Sequence, residues 1–248
     1  MWWAGISLET MILLRAFRSR MFSIYPLFYA YVVCVLGSEI SRLVIYRYWA
    51  PLYTNWWWGT EFLSLLVGYF VIFDIFEKAL AEFEGVKRLA RVVGLVVLAG
   101  IVGFTTFQLL ARNHLEQGLT SVEVERNLRC AELILLGGIL FLAAYYSIPM
   151  GRNLKGIILG YGVYVGTVVI GDATWSYLGE SSRAIVSTVR GDSYFAALMV
   201  WTVTLWSFHA NPVPIRPSVL GEDYQAMVTK TKDAIRDVRS HFHKGGRP

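Results

Sequence analysis

The sequence predicts an all-α integral membrane protein with seven transmembrane helices and a cytoplasmic, amphipathic C-terminal helix. Hydrophobic residues make up 55% of the 248 positions and charged residues only 17%, with a mean hydropathy of +0.47. In soluble domains, about a quarter of the residues are charged. Separated apolar runs of near-spanning length recur along the chain, and about twenty apolar residues make a helix long enough to cross a bilayer.

Hydropathy divides the chain into a helical bundle, 1–210, and a tail, 211–248. The first apolar run is short, so its helix either crosses with Arg15 snorkelling to the surface or lies in the interface; the second case leaves six spans. In the tail, apolar residues at helical spacing predict an amphipathic helix at about 222–243, resting on anionic lipid or docking a cytoplasmic partner. The spans are expected at about 2–18, 22–46, 56–76, 92–111, 128–148, 157–178 and 194–208.

The distribution of basic residues predicts the orientation. Nine Lys and Arg residues of the bundle fall on one side and six on the other, and all six lysines of the chain share the first side or the tail. By the positive-inside rule this side is cytoplasmic. We therefore expect a multi-pass protein of the bacterial inner (plasma) membrane with its C-terminus inside.

One predicted span, 157–178, belongs to a glycine-rich stretch with a single acidic residue, Asp172. Glycine lets another helix backbone approach closely, so the stretch is expected to be a packing centre. It is also a candidate surface, like the C-terminal helix, for a membrane or cytoplasmic protein partner. The helix-packing glycines are Gly156, Gly160, Gly162 and Gly166.

Ionisable residues inside spans are costly and therefore candidates for function. Counting from the predicted span ends, four carboxylates on four helices lie about 6–11 Å below the outer boundary. Two arginines lie in or just above the same layer. The candidate ligand, ion or proton site consists of Glu39, Arg42, Glu61, Arg129, Glu132 and Asp172.

A structural role is the alternative interpretation of this layer. Glu39/Arg42 and Arg129/Glu132 are both separated by three positions, so each pair can form a bridge on its own helix. Glu61 and Asp172 then have no partner nearby in sequence, and the layer carries a formal charge of minus two. Either a carboxyl group is protonated, or water or a cation enters the layer.

Several chemistries are excluded by absent motifs. There is no HExxH, GxSxG or P-loop sequence, no lysine in the last span for a retinal Schiff base, and no facing histidine pair for haem. We expect no catalytic residues, no cofactor, no metal and no nucleic-acid partner. The predicted partner is the lipid bilayer in which the helices lie. No motif identifies a family.

Three functions remain. The first is a receptor-like or ligand-binding protein with an outward-facing polar pocket and no enzymatic domain. The second is a small proton- or ion-coupled transporter that uses the same carboxylates. The third is an accessory subunit of a membrane complex, with the glycine-rich helix as its interface.

Overall fold

The structure is a computed structural model that describes residues 2–19, 21–80, 117–145 and 148–209, together with scattered positions between 87 and 107 and between 226 and 233. These residues are helical or lie in turns, with no strand among them. Short 3₁₀ turns at Ala50–Leu52 and Gly179–Ser182 join neighbouring helices. The described helices are α1 (Trp2–Ser19), α2 (Met21–Ile24), α3 (Pro26–Tyr48), α4 (Tyr53–Ala79), α5 (Gln117–Tyr145), α6 (Arg152–Leu178) and α7 (Arg183–Thr204).

Four helical segments are long and apolar enough to cross a membrane, which supports the predicted membrane-embedded helical protein. They are Pro26–Tyr48, Ala50–Ala79, Ser121–Tyr145 and Arg152–Thr204, the last of which contains both α6 and α7. Large apolar side chains such as Leu66, Phe70 and Ile134 are exposed on the bundle surface. In a bilayer these side chains contact lipid, so their exposure has no cost there.

Two predicted segments lie outside the described residues, apart from scattered positions. They are the span at about 92–111 and the amphipathic helix at about 222–243. The count of seven spans therefore stays a prediction. Helix α1 covers the predicted first segment and packs against α3 and α7, but it is not among the four candidate membrane segments.

Several helices start at residues that differ from the predicted starts of the apolar spans. Helix α3 begins at Pro26 after a break at Tyr25, because proline lacks the N–H that a helix interior requires and fits the first helical position. Helices α5 and α7 begin eleven residues before the predicted spans at 128 and 194. The eleven additional residues of each helix include charged side chains, and two of these, Glu125 and Arg190, pair with each other. Hydropathy does not record such internal pairing.

Helix α6 packs against α4, α5 and α7. It ends at Leu178, where Gly179 adopts a φ of +67°, a backbone conformation that glycine tolerates best. The buried core beside it is rich in aromatic side chains, including Trp201, Tyr161 and Tyr31. Trp201 donates its indole N–H to the carbonyl of Ile157 at 3.3 Å, which ties α7 to α6.

The predicted packing glycines are not equivalent. A Cβ atom at Gly156 or Gly160 would collide with the side chain of Thr204 or Trp201, so both glycines face α7 within this chain. At Gly162 the nearest atom is Cδ2 of Leu136 at 3.1 Å, and at Gly166 it is Cδ1 of Leu133 at 3.9 Å, an ordinary van der Waals separation. Close packing is thus strict at Gly156 and Gly160 and relaxed at Gly166.

We predict that Gly160→Ala lowers the free energy of unfolding by about 1–3 kcal/mol, the usual cost of overpacking, because the added methyl group meets the Trp201 indole. Gly166→Ala is the matched control and should change stability little. Thermal melting of both variants in the same detergent measures the difference. Equal melting temperatures for the two variants would contradict the packing described here.

Candidate functional site

Glu61 of α4 joins two arginines from neighbouring helices. Its Oε2 lies 3.1 Å from Nη2 of Arg42 on α3, and its Oε1 lies 2.8 Å from Nη2 of Arg129 on α5. Arg42 also donates from Nε to the hydroxyl of Thr60 at 2.7 Å, and its guanidinium lies over the ring of Trp57. Both carboxylate oxygens of Glu61 are therefore paired, and three helices meet at this residue.

Arg129 is the most buried cation of the site, with 1% of its side chain exposed. Besides Glu61 it contacts Glu132 on its own helix, with Nη1 to Oε2 at 3.3 Å, and Glu125 one turn earlier, with Nε to Oε1 at 3.7 Å. The other oxygen of Glu132 accepts a hydrogen bond of 2.9 Å from Tyr161 on α6. One guanidinium thus connects the polar groups of α4, α5 and α6.

Arg190 of α7 supplies the third cation. It forms an ion pair with Glu125, and its Nη2 lies 3.8 Å from Oδ1 of Asp172 on α6. Glu125 therefore lies between two arginines, Arg129 and Arg190. We use the name charge network for the connected set Arg42, Glu61, Glu125, Arg129, Glu132, Asp172 and Arg190.

A cavity of about 660 Å³ lies beside the charge network, at the end of the bundle where the two 3₁₀ turns are found. We call it the charged cavity. Its polar lining includes Glu39, Arg42, Glu61, Glu125, Asp172 and Arg190. Aromatic rings form much of the remaining wall, namely Tyr31, Tyr53, Trp57, Trp58, Tyr164, Trp175 and Tyr194.

The charge network carries an excess of negative charge. It contains four carboxylates and three arginines, a formal charge of minus one. Within the described part of the chain, Oε2 of Glu125, Oδ2 of Asp172 and the Nε–H of Arg129 are buried and have no hydrogen-bond partner. Buried polar atoms are nearly always paired, so these two oxygens mark a place for a proton, a cation or a donor.

The structure brings the predicted site residues close together. Arg129 and Glu132 form the expected bridge on α5, while Arg42 lies against Glu61 on the neighbouring helix. Glu39 lines the charged cavity. Asp172, which has no partner nearby in sequence, lies 3.8 Å from Nη2 of Arg190 on α7.

Three further charged residues at or beside the charged cavity were not among the predicted site residues: Glu125 and Glu9, which are buried, and Arg190, which is partly exposed. Arg190 lies within α7 rather than in an outer loop, because that helix begins at Arg183. Glu125 precedes Arg129 by four positions, a helical spacing that indicates a contact. Glu9 of α1 is fully buried and accepts a hydrogen bond of 2.5 Å from Tyr194, which lines the charged cavity.

The opposite end of the bundle shows ordinary pairing at helix ends. Lys78 pairs with Asp74 on α4, and Glu77 pairs with Arg91 and lies 3.9 Å from Lys87. Asn153 accepts a hydrogen bond of 2.6 Å from the backbone N–H of His209. Among the residues that the structure describes, these contacts secure this end of the bundle.

We predict that Arg129→Met destabilises the protein by about 3–5 kcal/mol, because it leaves buried carboxylates without their cation. Arg126→Gln, which removes only a contact with Ser176 at a more exposed position, should have a small effect. Adding Glu61→Gln to Arg129→Met should recover part of the loss, since the two residues are directly coupled. Melting curves in detergent test this, and additive effects in the double variant would contradict the coupling.

Comparisons with protein-family models, with curated proteins and with solved structures gave no significant match. Interpretation of the site therefore depends on its own geometry. That geometry consists of a cavity of small-molecule size, an aromatic wall and two lining carboxylates, Glu125 and Asp172, each with a buried oxygen that has no hydrogen-bond partner in the described part of the chain.

Proposed function

We propose that the protein is a receptor-like, ligand-binding multi-span membrane protein and that the charged cavity is its binding site. The observation that carries this proposal is the cavity of about 660 Å³ whose lining residues include Glu125 and Asp172, each with one buried oxygen that has no hydrogen-bond partner among the described residues. Ligand pockets for small molecules are commonly about 300–1,000 Å³, with a few polar groups among apolar and aromatic walls. The proposed output passes to a separate protein, through the tail.

A bundle of seven spans fits the helix directions. Helices α4 and α5 both begin at the charged cavity, with Thr54 of α4 and Val122 of α5 in its lining, so the two helices are parallel. Parallel neighbours need a connection that returns from the end of one to the start of the other, which supports a crossing at the predicted span 92–111. Among described positions near that span, Arg91 pairs with Glu77 and Gly94 lies against the Phe73 ring of α4.

The proposed orientation places the charged cavity on the outer side and the tail in the cytoplasm. The cavity lies at the end with the 3₁₀ turns, where no lysine occurs, whereas Lys78 and Lys155 belong to the opposite end. The positive-inside rule assigns that opposite end to the cytoplasm.

We predict that alkaline phosphatase fused after Pro248 is inactive in bacterial cells, because the enzyme requires export. The same enzyme fused after Ser181, in the turn between α6 and α7, should be active. Activity of both fusions is measured on intact cells at matched expression. An active C-terminal fusion together with an inactive fusion at Ser181 would reverse the orientation.

We predict that water reaches the charged cavity from outside. Ser38 is buried, lines the cavity and tolerates cysteine in size, so Ser38→Cys should react with a membrane-impermeant methanethiosulfonate on intact cells. The background carries Cys34→Ala and Cys130→Ala, which removes the native thiols. Leu63→Cys, at an exposed apolar position of α4, is the lipid-facing control and should stay unlabelled.

Labelling is quantified by a mass shift of the purified protein. Reaction at Ser38→Cys without reaction at Leu63→Cys supports an outward-facing aqueous cavity. Protection of Ser38→Cys in a protein that is folded and correctly inserted would overturn the proposed site.

A small proton- or ion-coupled transporter is the second candidate. The unpaired oxygens of Glu125 and Asp172 favour it, because a carboxylate in a cavity can take up and release a proton or cation. Proteoliposomes loaded with a pH-sensitive dye separate the two functions. A transporter moves protons or ions when a gradient is imposed, whereas a receptor leaves the internal pH unchanged.

A further inference from the structure

We propose that the ligand of the charged cavity is a small organic cation whose ammonium group binds beside Glu125 and Asp172 and whose carbon skeleton contacts the aromatic wall. This inference rests on the proposed function and adds the chemical class of the ligand. Its basis is the balance of donors and acceptors in the cavity, together with the composition of the wall.

The unfilled capacity of the cavity lies on the acceptor side. Glu125 and Asp172 are only 1% and 2% exposed. Each directs one carboxylate oxygen to Arg190, while its second oxygen has no hydrogen-bond partner among the described residues. Two buried carboxylates thus share one guanidinium at this point. A group with several N–H donors and a positive charge supplies what both oxygens lack.

The arginines of the cavity are already engaged, which disfavours an anionic ligand. Arg42 contacts Glu61 and Thr60, and Arg190 contacts Glu125 and Asp172. Arg183, the more exposed arginine of the lining, pairs with Glu180 at 3.2 Å. An anion would have to displace one of these carboxylates and would then face it across a low-dielectric space. A cation instead offsets the surplus negative charge of the charge network.

The aromatic wall favours an organic cation over a simple metal ion. Two rings of the wall already hold cations of the chain itself, with Cζ of Arg42 5.2 Å from the centre of Trp57 and Cζ of Arg183 5.4 Å from the centre of Trp175. Cation–π attraction and apolar contact both reward an ammonium group that carries carbon substituents. The volume of about 660 Å³ accommodates such a molecule, whereas a bare ion would leave most of the cavity to water.

Binding is tested with two pairs of probes on the full-length protein in detergent or nanodiscs. The first pair is 3,3-dimethylbutylammonium and its uncharged counterpart 3,3-dimethylbutan-1-ol; the second is phenethylammonium and 2-phenylethanol. Tryptophan fluorescence and melting temperature are followed at constant ionic strength, set with sodium chloride. In at least one pair, we expect the ammonium probe to bind about tenfold more tightly than its neutral counterpart, a difference of about 1.4 kcal/mol.

Two variants locate the ammonium group. Asp172→Asn keeps the shape of the side chain and removes its charge, so it should weaken the ammonium probe about tenfold and leave the neutral probe unchanged. Asp192→Asn, at an exposed position of α7, is the matched control. If Asp172→Asn fails to fold, Ser187→Lys at an exposed position of the cavity wall introduces a competing cation, with Ser187→Gln as its neutral control.

Each outcome decides the inference. Charge-dependent binding that is lost in Asp172→Asn or Ser187→Lys supports it. Equal binding of ammonium and neutral probes, binding of neither, or full replacement of the effect by sodium or potassium ions would overturn it. Such a result leaves the proposed function intact if Ser38→Cys is still labelled from outside. Failure of the ligand class is therefore distinguishable from failure of the proposed binding site.

Discussion

The burial of one guanidinium, that of Arg129, is the constraint on which the arrangement of the bundle depends. A charge this far from water is stable only with nearby opposite charges and hydrogen bonds. Glu61 of α4 and Glu125 and Glu132 of α5 supply the opposite charges. Tyr161 of α6 in turn donates a hydrogen bond to Glu132. The positions of α4, α5 and α6 are therefore fixed by polar geometry as well as by packing, which in lipid lacks a hydrophobic driving force between helices.

The same arrangement leaves the protein with an imbalance. Pairing satisfies Glu61 and Glu132 on the inner side of the charge network, whereas Glu125 and Asp172 share Arg190 at the edge of the charged cavity. Under the proposed function, structural and ligand-binding roles are divided between neighbouring carboxylates rather than being alternatives for the whole layer. The contacts of Glu61 and Glu132 hold helices together. Glu125 and Asp172 each keep one oxygen that has no hydrogen-bond partner among the described residues.

Much of this site could be predicted from the sequence, because a charged residue in an apolar run is easily noticed. Arg129 and Glu132 are in that class, and their spacing alone indicates their contact. Arg190 could not be placed in the same way, since hydropathy stops at the polar start of α7 while the helix continues through it. Which glycines are crowded depends on Trp201 and Thr204 of another helix, and no pattern within α6 contains that information.

The order of the charged residues along the chain also bears on biogenesis. A lone charge at the centre of a membrane helix costs about 2.5–3.5 kcal/mol when the translocon inserts it. Helix α5 carries Glu125, Arg129 and Glu132, but Glu61 has been synthesised before it and can receive Arg129 as the helix enters. Arg190 likewise follows both of its carboxylate partners. Arg129 and Arg190 thus reach the membrane after a carboxylate partner for each is already present, whereas Arg42 precedes Glu61. For α5 and α7, we therefore expect insertion and assembly to be linked.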